Sequence, residues 1–189
     1  LPGLADVGYL TSDTLWQLTE LPQRLLVLGG GPIGCELAQA FARLGAQVTQ
    51  VEMLPRLMIR EDPEVSVMVA ERFAAEGIKV LLEHKASACM MDEGEKIMLA
   101  EYKGAQVKIP YDAVLVAVGR VANLKGYGLE ELGIEAQRTV ATNEFLQTKY
   151  PNIYAAGDVA GPFQFTHTAA HQAWYAAVNA LFDPFKKFR

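Results

Sequence analysis

The apolar positions near the start of the chain predict a strand, a tight turn and a helix in succession. Residues 25–28 form an apolar run of strand length, and the run stops at the three glycines of positions 29–31. Pro32 is a favoured first residue of a helix, and apolar side chains then recur at helical spacing, namely Ile33, Leu37, Ala40, Phe41 and Leu44. Gly45 breaks this pattern, so we expect the helix to end there.

The next stretch repeats this order of elements. Residues 47–51 predict a second strand, and Asp62-Pro63-Glu64 opens a second helix with acids in its first turn. This helix is expected to end at Gly77 and to turn five apolar side chains inward, which are Val65, Met68, Val69, Phe73 and Ala74. Residues 78–82 predict a third strand. Strands and helices that alternate with short connections indicate a right-handed parallel βαβαβ unit, half of a doubly wound sheet.

The pattern then changes to strands alone. Short strand-like runs at 85–91, 96–102 and 106–109 are separated by turn residues, which predicts an antiparallel β-meander. Residues 112–118 form a continuous apolar strand that we expect to be buried in the parallel sheet and to end at Gly119. The predicted fold class is therefore α/β: a Rossmann-like parallel sheet with helices on both faces, together with an antiparallel meander.

The flanks of this unit carry weaker signals. Residues 1–20 predict a connector that begins with an irregular lead-in at 1–4 and contains a short helix near 13–18, capped by Thr11 or Ser12. Residues 124–138 predict a surface loop with a helical turn, residues 139–146 a strand or hairpin, and residues 152–156 a short strand that ends at Gly157-Asp158. Residues 166–181 have helical periodicity with small side chains, namely Ala169, Ala170, Ala173, Ala176 and Ala177. We expect this helix to pack closely on a large partner.

The glycine turn carries the clearest chemical signal. Gly29, Gly31 and Gly34 satisfy G-x-G-x-x-G between a strand and a helix, the setting that gives the motif meaning. The first glycine makes the turn, the second lets the backbone approach a pyrophosphate, and the third lets helix and strand pack closely. The phosphate would meet the helix N-terminus at Pro32 and Ile33, where the dipole favours negative charge. A glycine-rich turn without a ligand is the alternative.

An acidic residue follows at the distance that a dinucleotide site requires. Glu52 comes directly after the second predicted strand, where a carboxylate can accept a hydrogen bond from a ribose 2′-OH. A 2′-phosphate would meet a like charge there, which predicts NAD(H) rather than NADP(H). Arg56 and Arg60 lie close behind, however, and a guanidinium could accommodate a 2′-phosphate.

Composition limits the other functions. The net charge of −5 gives no basic field for nucleic acid or anionic lipid, and no apolar run is long enough to span a membrane. The only cysteines, Cys35 and Cys89, are far apart, which favours a reducing, cytoplasmic setting. Cysteine is among the most buried residue types, so we expect both in the core; a reactive thiol at the helix N-terminus is the alternative for Cys35. His167 and His171 share a helix face without a third ligand, so no metal site is expected. Because the chain starts at Leu1, we expect it to be part of a longer protein.

At this point the motifs together resemble a known family. GGGPIGCE, VEMLPRL, AVGR with Asn123 three positions on, and TKYPNIYAAGD are similar, in this order, to the pyridine nucleotide–disulfide oxidoreductases. These flavoenzymes include dihydrolipoamide dehydrogenase, mercuric reductase and glutathione reductase. The similarity covers essentially the whole chain, and GDVAGPFQFTHTAAHQA is most similar to the mercuric-reductase-like members.

The resemblance implies an NAD domain inserted in a split FAD domain, followed in the full-length enzyme by a dimerisation domain that forms a homodimer. On that map residues 1–20 connect from the FAD domain, residues 21–123 bind NAD(H), and residues 124–189 are the incomplete C-terminal part of the FAD domain. The redox Cys-x-x-x-x-Cys motif and the dimerisation domain do not occur in this sequence. The chain alone is therefore expected to lack disulfide chemistry and to be inactive.

The resemblance also assigns roles beyond the glycine turn and Glu52. Glu36 matches a glutamate beside nicotinamide and flavin, usually paired with a lysine that this sequence lacks, and Gly119 is implied to lie near the nicotinamide half. Asp158 matches the aspartate that hydrogen-bonds the ribityl chain of FAD. The helix start at Thr166 and His167 is implied to direct N–H groups at the flavin N1/O2 edge. The family's usual proline before Asn123 is Ala122 here.

Two other classes of function remain open from the residues. A non-enzymatic module that senses NADH would need the glycine turn and Glu52, but it has no need of a flavin-facing Gly-Asp pair. A self-sufficient Rossmann dehydrogenase would need its own proton-transfer group, and no Tyr-x-x-x-Lys pair occurs in the sequence.

Overall fold

The computed structural model describes residues 1–182 and 184–188. The chain divides into two compact units, Leu1–Gly119 and Arg120–Arg189. This division falls just before the boundary expected near Asn123, and it groups residues 1–20 with the first unit. No helix in the described part of the chain is long and apolar enough to cross a membrane.

The first unit is built on a parallel sheet of four strands. They are β1 (Arg24–Leu28), β2 (Gln47–Val51), β3 (Lys79–Leu81) and β7 (Ala113–Val116), in the order β3-β2-β1-β7. Leu28 pairs with Val51 on one side and with Val116 on the other. The carboxyl ends of the three strands are therefore level, which brings the glycine turn next to Glu52.

Two helices of similar length connect the strands as predicted. They are α2 (Pro32–Leu44) and α3 (Pro63–Ala75), and each carries a proline at its start. Gly45 ends α2 with a left-handed backbone, φ 110°, and its N–H donates to the carbonyl of Ala42. Only a glycine adopts that conformation without strain, so the sequence signal and the observed helix end agree.

The inward face predicted for α3 is partly wrong. Phe73 is buried as expected and Val69 packs against the core, but Val65, Met68 and Ala74 are exposed. Ser66 is buried instead, because it donates to the carbonyl of Leu57 in the loop that precedes the helix. A polar contact with this loop therefore sets the rotation of the helix, and the apolar pattern alone could not reveal it.

The meander forms as predicted, with strands β4 (Lys85–Asp92), β5 (Glu95–Tyr102) and β6 (Ala105–Tyr111) in antiparallel order. It packs on the face of the parallel sheet opposite α2 and α3. Alternate residues of β1 show this division: Leu25 and Val27 join the helices in one cluster, and Leu26 joins the meander in the other. A four-residue helix, α1 (Leu4–Val7), also contributes to the second cluster, so helices lie on both faces.

The lead-in differs from its prediction. Leu4, expected to end an irregular lead-in, begins α1, and the predicted helix at 13–18 is a single 3₁₀ turn at Leu15–Gln17. Its N-cap residue is Thr14 rather than Thr11 or Ser12. Leu10 pairs with Leu115 in a single parallel bridge. Contacts with the sheet edge therefore shape this segment more than its own helix propensity does.

The second unit contains one long helix, α4 (Thr166–Phe182), close to the prediction of 166–181. The strands predicted at 139–146 and 152–156 do not form ladders. Only single bridges occur there among the described residues, between Ala136 and Val140 and between Gln147 and Tyr154. Of the five alanines expected to pack closely, Ala176 is buried, whereas Ala170, Ala173 and Ala177 are exposed.

Candidate functional site

The turn after β1 begins at Gly29, which has a left-handed backbone with φ 113°. Its N–H donates to the carbonyl of Val51 at 2.8 Å, which ties the turn to the end of β2. A Cβ at this position would lie 2.4 Å from the carbonyl oxygen of Ala117. Both the backbone conformation and the close approach of the chain after β7 therefore require glycine here.

Gly30 and Glu52 make the central contact of the turn. The Gly30 N–H donates to Oε2 of Glu52 at 2.5 Å, and the Leu54 N–H donates to Oε1 at 2.8 Å. Glu52 is only 9% exposed. A carboxylate held by two backbone donors is fixed in position, and its remaining lone pairs can still accept from a ligand hydroxyl.

Gly31 and Gly34 have different surroundings. A Cβ on Gly31 would meet no protein atom within 4 Å, whereas a Cβ on Gly34 would lie 2.3 Å from the carbonyl oxygen of Gly29. Gly34 therefore permits close packing of α2 on the turn, and Gly31 borders open space. Among the described residues, no acceptor pairs with the N–H of Gly31, Ile33 or Gly34. Free N–H groups at a helix start are able to bind an anion.

A buried polar pair lies beneath the turn. Gln50 is fully buried, and its Nε2 donates to the Gly29 carbonyl at 2.8 Å and approaches Sγ of Cys35 at 3.6 Å. Cys35 also donates weakly to the Gly30 carbonyl at 3.5 Å. Burial raises the pKa of the Cys35 thiol to about 11, so the group stays protonated at neutral pH. This agrees with the expectation of an inert core cysteine, and Cys89 is buried as well.

The loop after β2 folds back over the turn. Met58 donates its N–H to the Gly30 carbonyl at 2.7 Å. Arg56 donates to Ser66 Oγ at 2.6 Å and to the carbonyls of Glu61 and Ile59 at 2.9 and 2.8 Å. The guanidinium of Arg56 is thus engaged in holding its own loop, and Arg60 is exposed.

Glu36 and Gly119 occupy less constrained positions. Glu36 is exposed in the second turn of α2, and no hydrogen bond to its side chain occurs within the described residues. Gly119 has φ 132°, and a Cβ added there would meet no atom within 4 Å. The ladder of β7 ends at Val116, before the predicted limit of Val118, although Ala117 still donates to the Leu28 carbonyl.

In the second unit, Asp158 lies on a 3₁₀ turn, Gly157–Val159, that α4 holds in place. Gln172 of α4 is 1% exposed, accepts from the Gly157 N–H at 2.7 Å and donates to the Gly161 carbonyl at 2.9 Å. One amide side chain therefore contacts the first residue of the turn that carries Asp158 and a glycine two positions beyond its end. The Asp158 carboxylate is partly exposed and lies 3.9 Å from Arg120 Nη1.

The helix start is exposed at both residues expected to face a flavin. Thr166 and His167 are exposed, and the His167 ring stacks on Phe165 with 5.4 Å between ring centroids. The N–H of Ala169 donates to the Phe165 carbonyl, so the helix begins at the predicted residue. No group of three or more His, Cys, Asp or Glu side chains in the described parts of the chain gathers as a metal site.

The structure places Glu52 against Gly30 of the glycine turn and packs Gly34 against Gly29. Sequence reasoning missed two residues that each contact a turn, Gln50 and Gln172. Both are polar side chains in the interior, and each holds a glycine carbonyl. A signal for Gln50 was available, since a glutamine inside a short apolar strand buried in a parallel sheet breaks the expected pattern. Gln172 has no such signal, because it follows other polar residues, such as Thr168 and His171, in the first half of its helix.

Comparison with known proteins agrees with these features. The model of the family described as pyridine nucleotide-disulphide oxidoreductase matches residues 1–173. A mercuric reductase of Staphylococcus aureus is 38% identical over 96% of this chain and 34% of its own length. A dihydrolipoyl dehydrogenase of Bacillus subtilis is 37% identical over 90% of this chain and 37% of its own length. The chain thus spans about a third of the length of these curated relatives.

Solved structures show the same likeness. The HOCl-induced flavoprotein disulfide reductase RclA of Escherichia coli, in its Cu(II) complex, matches 99% of this chain and 43% of its own chain with a TM-score of 0.90 and 29% identity. LpdA of Mycobacterium tuberculosis matches 95% of this chain and 39% of its own with a TM-score of 0.83 and 29% identity. The family match over most of the chain, together with the glycine turn and Glu52, shows that this chain belongs to the pyridine nucleotide–disulphide oxidoreductases.

Proposed function

We propose that this chain is the NADH-binding portion of an FAD-dependent pyridine nucleotide–disulphide oxidoreductase, of the mercuric reductase or dihydrolipoyl dehydrogenase type. The single observation that carries the proposal is the pairing of an open Gly31 with a fixed Glu52 at the carboxyl end of the same sheet. A dinucleotide needs these two features together: a backbone that a pyrophosphate can approach, and an acceptor for the adenosine ribose.

The residues present fit the pyrophosphate. The N–H groups of Gly31, Ile33 and Gly34, which have no acceptor among the described residues, lie at the start of α2, where the helix dipole also favours negative charge. The space next to Gly31 would be closed by any side chain there, so glycine keeps the approach open. Backbone donors of this kind orient the ligand without adding a positive side chain.

The residues proposed to lie at the adenosine ribose favour NADH over NADPH. Glu52 can accept from the 2′-OH of NADH, while a 2′-phosphate would meet the carboxylate as a like charge. Arg56 supports this preference, because its guanidinium donates to the carbonyls of Met58, Ile59 and Glu61 in its own loop and to the hydroxyl of Ser66 on α3. These bonds use both Nη atoms of the guanidinium, which leaves fewer donors for a 2′-phosphate.

NADH supplies a hydride to the flavin in enzymes of this type, and the protein contributes position and electrostatics. In this chain Glu36 and Gly119 are the residues proposed to border the nicotinamide. Asp158 is proposed to accept from the ribityl chain of FAD, and the N–H groups near Thr166 and His167 to stabilise negative charge on reduced flavin. The Gln172 contacts support the role of Asp158, since they fix its turn.

The chain by itself is proposed to bind the dinucleotide without catalysing disulfide exchange. Cys35 and Cys89 are both buried and belong to different clusters of the first unit, so they cannot form a redox pair with each other. The electron acceptor and the second subunit of a homodimer would involve parts of the relatives that this chain does not span.

Calorimetric titration of the chain with NADH and, separately, NADPH tests the proposal. We expect saturable NADH binding and NADPH binding weaker by at least about tenfold, which is ~1.4 kcal/mol. Equal or reversed affinities would contradict the role of Glu52, and absence of binding to both would contradict the dinucleotide site. As a control, NADH-dependent dye reduction with added FAD should stay near the background rate.

A further inference from the structure

Gln50 is a polar residue in an apolar setting that the proposed function does not use. It lies within β2, is completely buried, and belongs to the sheet interior near Val48 and Cys35. Its Oε1 atom has no hydrogen-bond partner among the described residues. A buried acceptor without a partner costs folding free energy. An apolar side chain of the same size would remove this acceptor but would leave the Gly29 carbonyl without its donor, so the contact with Gly29, and not apolar packing, explains a glutamine here.

The other end of the side chain suggests its role. Gln50 Nε2 donates to the Gly29 carbonyl at 2.8 Å, and Glu52 Oε2 accepts from the Gly30 N–H at 2.5 Å. The Gly29 carbonyl and the Gly30 N–H belong to one peptide group, which is planar and rigid. The side chains of Gln50, in β2, and Glu52, directly after β2, therefore contact opposite edges of the same peptide plane.

This arrangement couples the glycine turn to the ribose acceptor. Gly30 carries no side chain that could restrict it, so without Gln50 the peptide plane would lose the contact at its carbonyl edge. Rotation of the plane would carry the Gly30 N–H away from Glu52. Glu52 would then keep only the Leu54 N–H and gain freedom to move.

We propose that Gln50 is a positioning residue that sets the selectivity for NADH over NADPH, by fixing the Gly29–Gly30 peptide and through it the Glu52 carboxylate. The inference rests on the proposed function and deepens it. NADH benefits from a fixed acceptor at its 2′-OH, whereas NADPH does not. Loss of Gln50 should therefore weaken NADH binding more than NADPH binding.

The test substitutes Gln50 with methionine, Gln50→Met, which keeps the length of the side chain and removes both polar atoms. Gln47→Met is the matched control, because Gln47 lies on the same strand and is exposed. In Gln50→Met one unpartnered acceptor, Oε1, is exchanged for another, the Gly29 carbonyl, so the free energy of unfolding should change little. The melting temperature should therefore shift by only a few degrees. The NADH Kd should rise about tenfold, the loss expected for one hydrogen bond to a charged group.

The selectivity ratio and the Gly30 amide separate positioning from a purely structural role. The NADPH Kd should change less than about threefold, so the ratio of the two constants should fall. In a ¹H–¹⁵N spectrum the Gly30 amide should move upfield in Gln50→Met and stay in place in Gln47→Met, since a short bond to a carboxylate shifts an amide proton downfield. This second readout needs no ligand.

Several outcomes would overturn the inference. A folded Gln50→Met chain with an unchanged selectivity ratio or an unmoved Gly30 amide would show that Gln50 does not act through Glu52. Gln50→Leu serves as a second variant, and failure of both variants to fold would show that the side chain is needed for folding. If the unsubstituted chain bound neither NADH nor NADPH, the proposed function itself would fail, which is a separate result.

Discussion

Glu52 Oε2 lies 2.5 Å from the amide nitrogen of Gly30, and a Cβ added to Gly30 would come within 2.9 Å of that same oxygen. A side chain at position 30 would crowd this contact. The middle glycine of the turn falls outside the G-x-G-x-x-G pattern, yet it is the one that contacts the proposed ribose acceptor. Gly30 is therefore needed for the packing around Glu52. Gly31, which borders open space, is the glycine that we expect a ligand to approach.

Alanine substitutions should distinguish these glycines. In Gly30→Ala the new Cβ would lie 2.9 Å from Glu52 Cγ and Oε2 and from Leu57 Cδ2, and overpacking of this kind costs about 1–3 kcal/mol. In Gly31→Ala the Cβ would meet nothing within 4 Å, so the free energy of unfolding should hardly change. NADH binding should fall at least about tenfold in Gly31→Ala, because a methyl group occupies the approach to the pyrophosphate.

Urea denaturation and NADH titration of both variants measure these effects. Equal stability of the two variants would contradict the observed packing around Gly30. Undiminished NADH affinity in Gly31→Ala would contradict the location of the pyrophosphate.

Removing the charge of Glu52 should change cofactor preference. In Glu52→Gln the side chain keeps its shape and an oxygen that can accept from Gly30, but the repulsion of a 2′-phosphate disappears. We expect NADH affinity to fall by about threefold to tenfold and NADPH affinity to rise, as judged by calorimetry. Glu71→Gln, an exposed site on α3, makes the same change in net charge and should leave both constants as they are. If the NADPH Kd does not fall in Glu52→Gln, the result would argue against direct contact between this carboxylate and the ribose.

The buried thiol of Cys35 should make the first unit sensitive to alkaline pH. Burial raises the pKa of this thiol from its ordinary value of 9.0 to about 11, so the folded state holds the proton more tightly than the unfolded state does. Between these two values the unfolded state has lost the proton and the folded state has not, so stability falls as pH rises. Below pH 9.0 this contribution is fully present.

Thermal melts from about pH 8 to 11 on the unsubstituted chain and on Cys35→Ala test this behaviour. The decline attributable to Cys35 should be missing in the variant, although removal of the buried sulfur lowers stability by a constant amount at all pH values. The native chain should also react slowly with a thiol reagent near pH 8, because the thiolate fraction is small. Identical alkaline slopes for the two proteins would disprove the assignment.

Loss of Gln172 should loosen the turn that carries Asp158. In Gln172→Leu the buried Gly157 N–H and Gly161 carbonyl both lose their partner, and each such loss costs about 1–3 kcal/mol. We expect the second unit to be destabilised by roughly 2–6 kcal/mol and the Gly157 amide to exchange with solvent faster. His171→Leu, exposed on the same helix, should have little effect. An unchanged exchange rate of the Gly157 amide in Gln172→Leu would show that the turn is stable without the Gln172 side chain.

Sequence patterns within a few positions predicted much of the fold. The strand of residues 47–51 and the helix of residues 32–44 agree with prediction almost residue by residue, because Pro32 and Gly45 fix the ends of that helix through backbone geometry alone. The strands expected at 139–146 and 152–156 failed for the opposite reason. A β-ladder needs a partner strand, and in the described residues of the second unit only single bridges such as Gln147 with Tyr154 are available.

The sequence by itself determined the glycine turn, the order of strands and helices, and the acidic residue at the end of the second strand, since these depend on neighbours a few positions apart. Tertiary structure alone decided which side chains hold the site. The register that sets Leu28 beside Val51 brings Gln50 and Glu52 to the two edges of one glycine peptide, and a loop contact turns Ser66 rather than Met68 inward. Those contacts join residues about 20 positions apart or lie across a folded loop, and their energies exist only once the strands have paired.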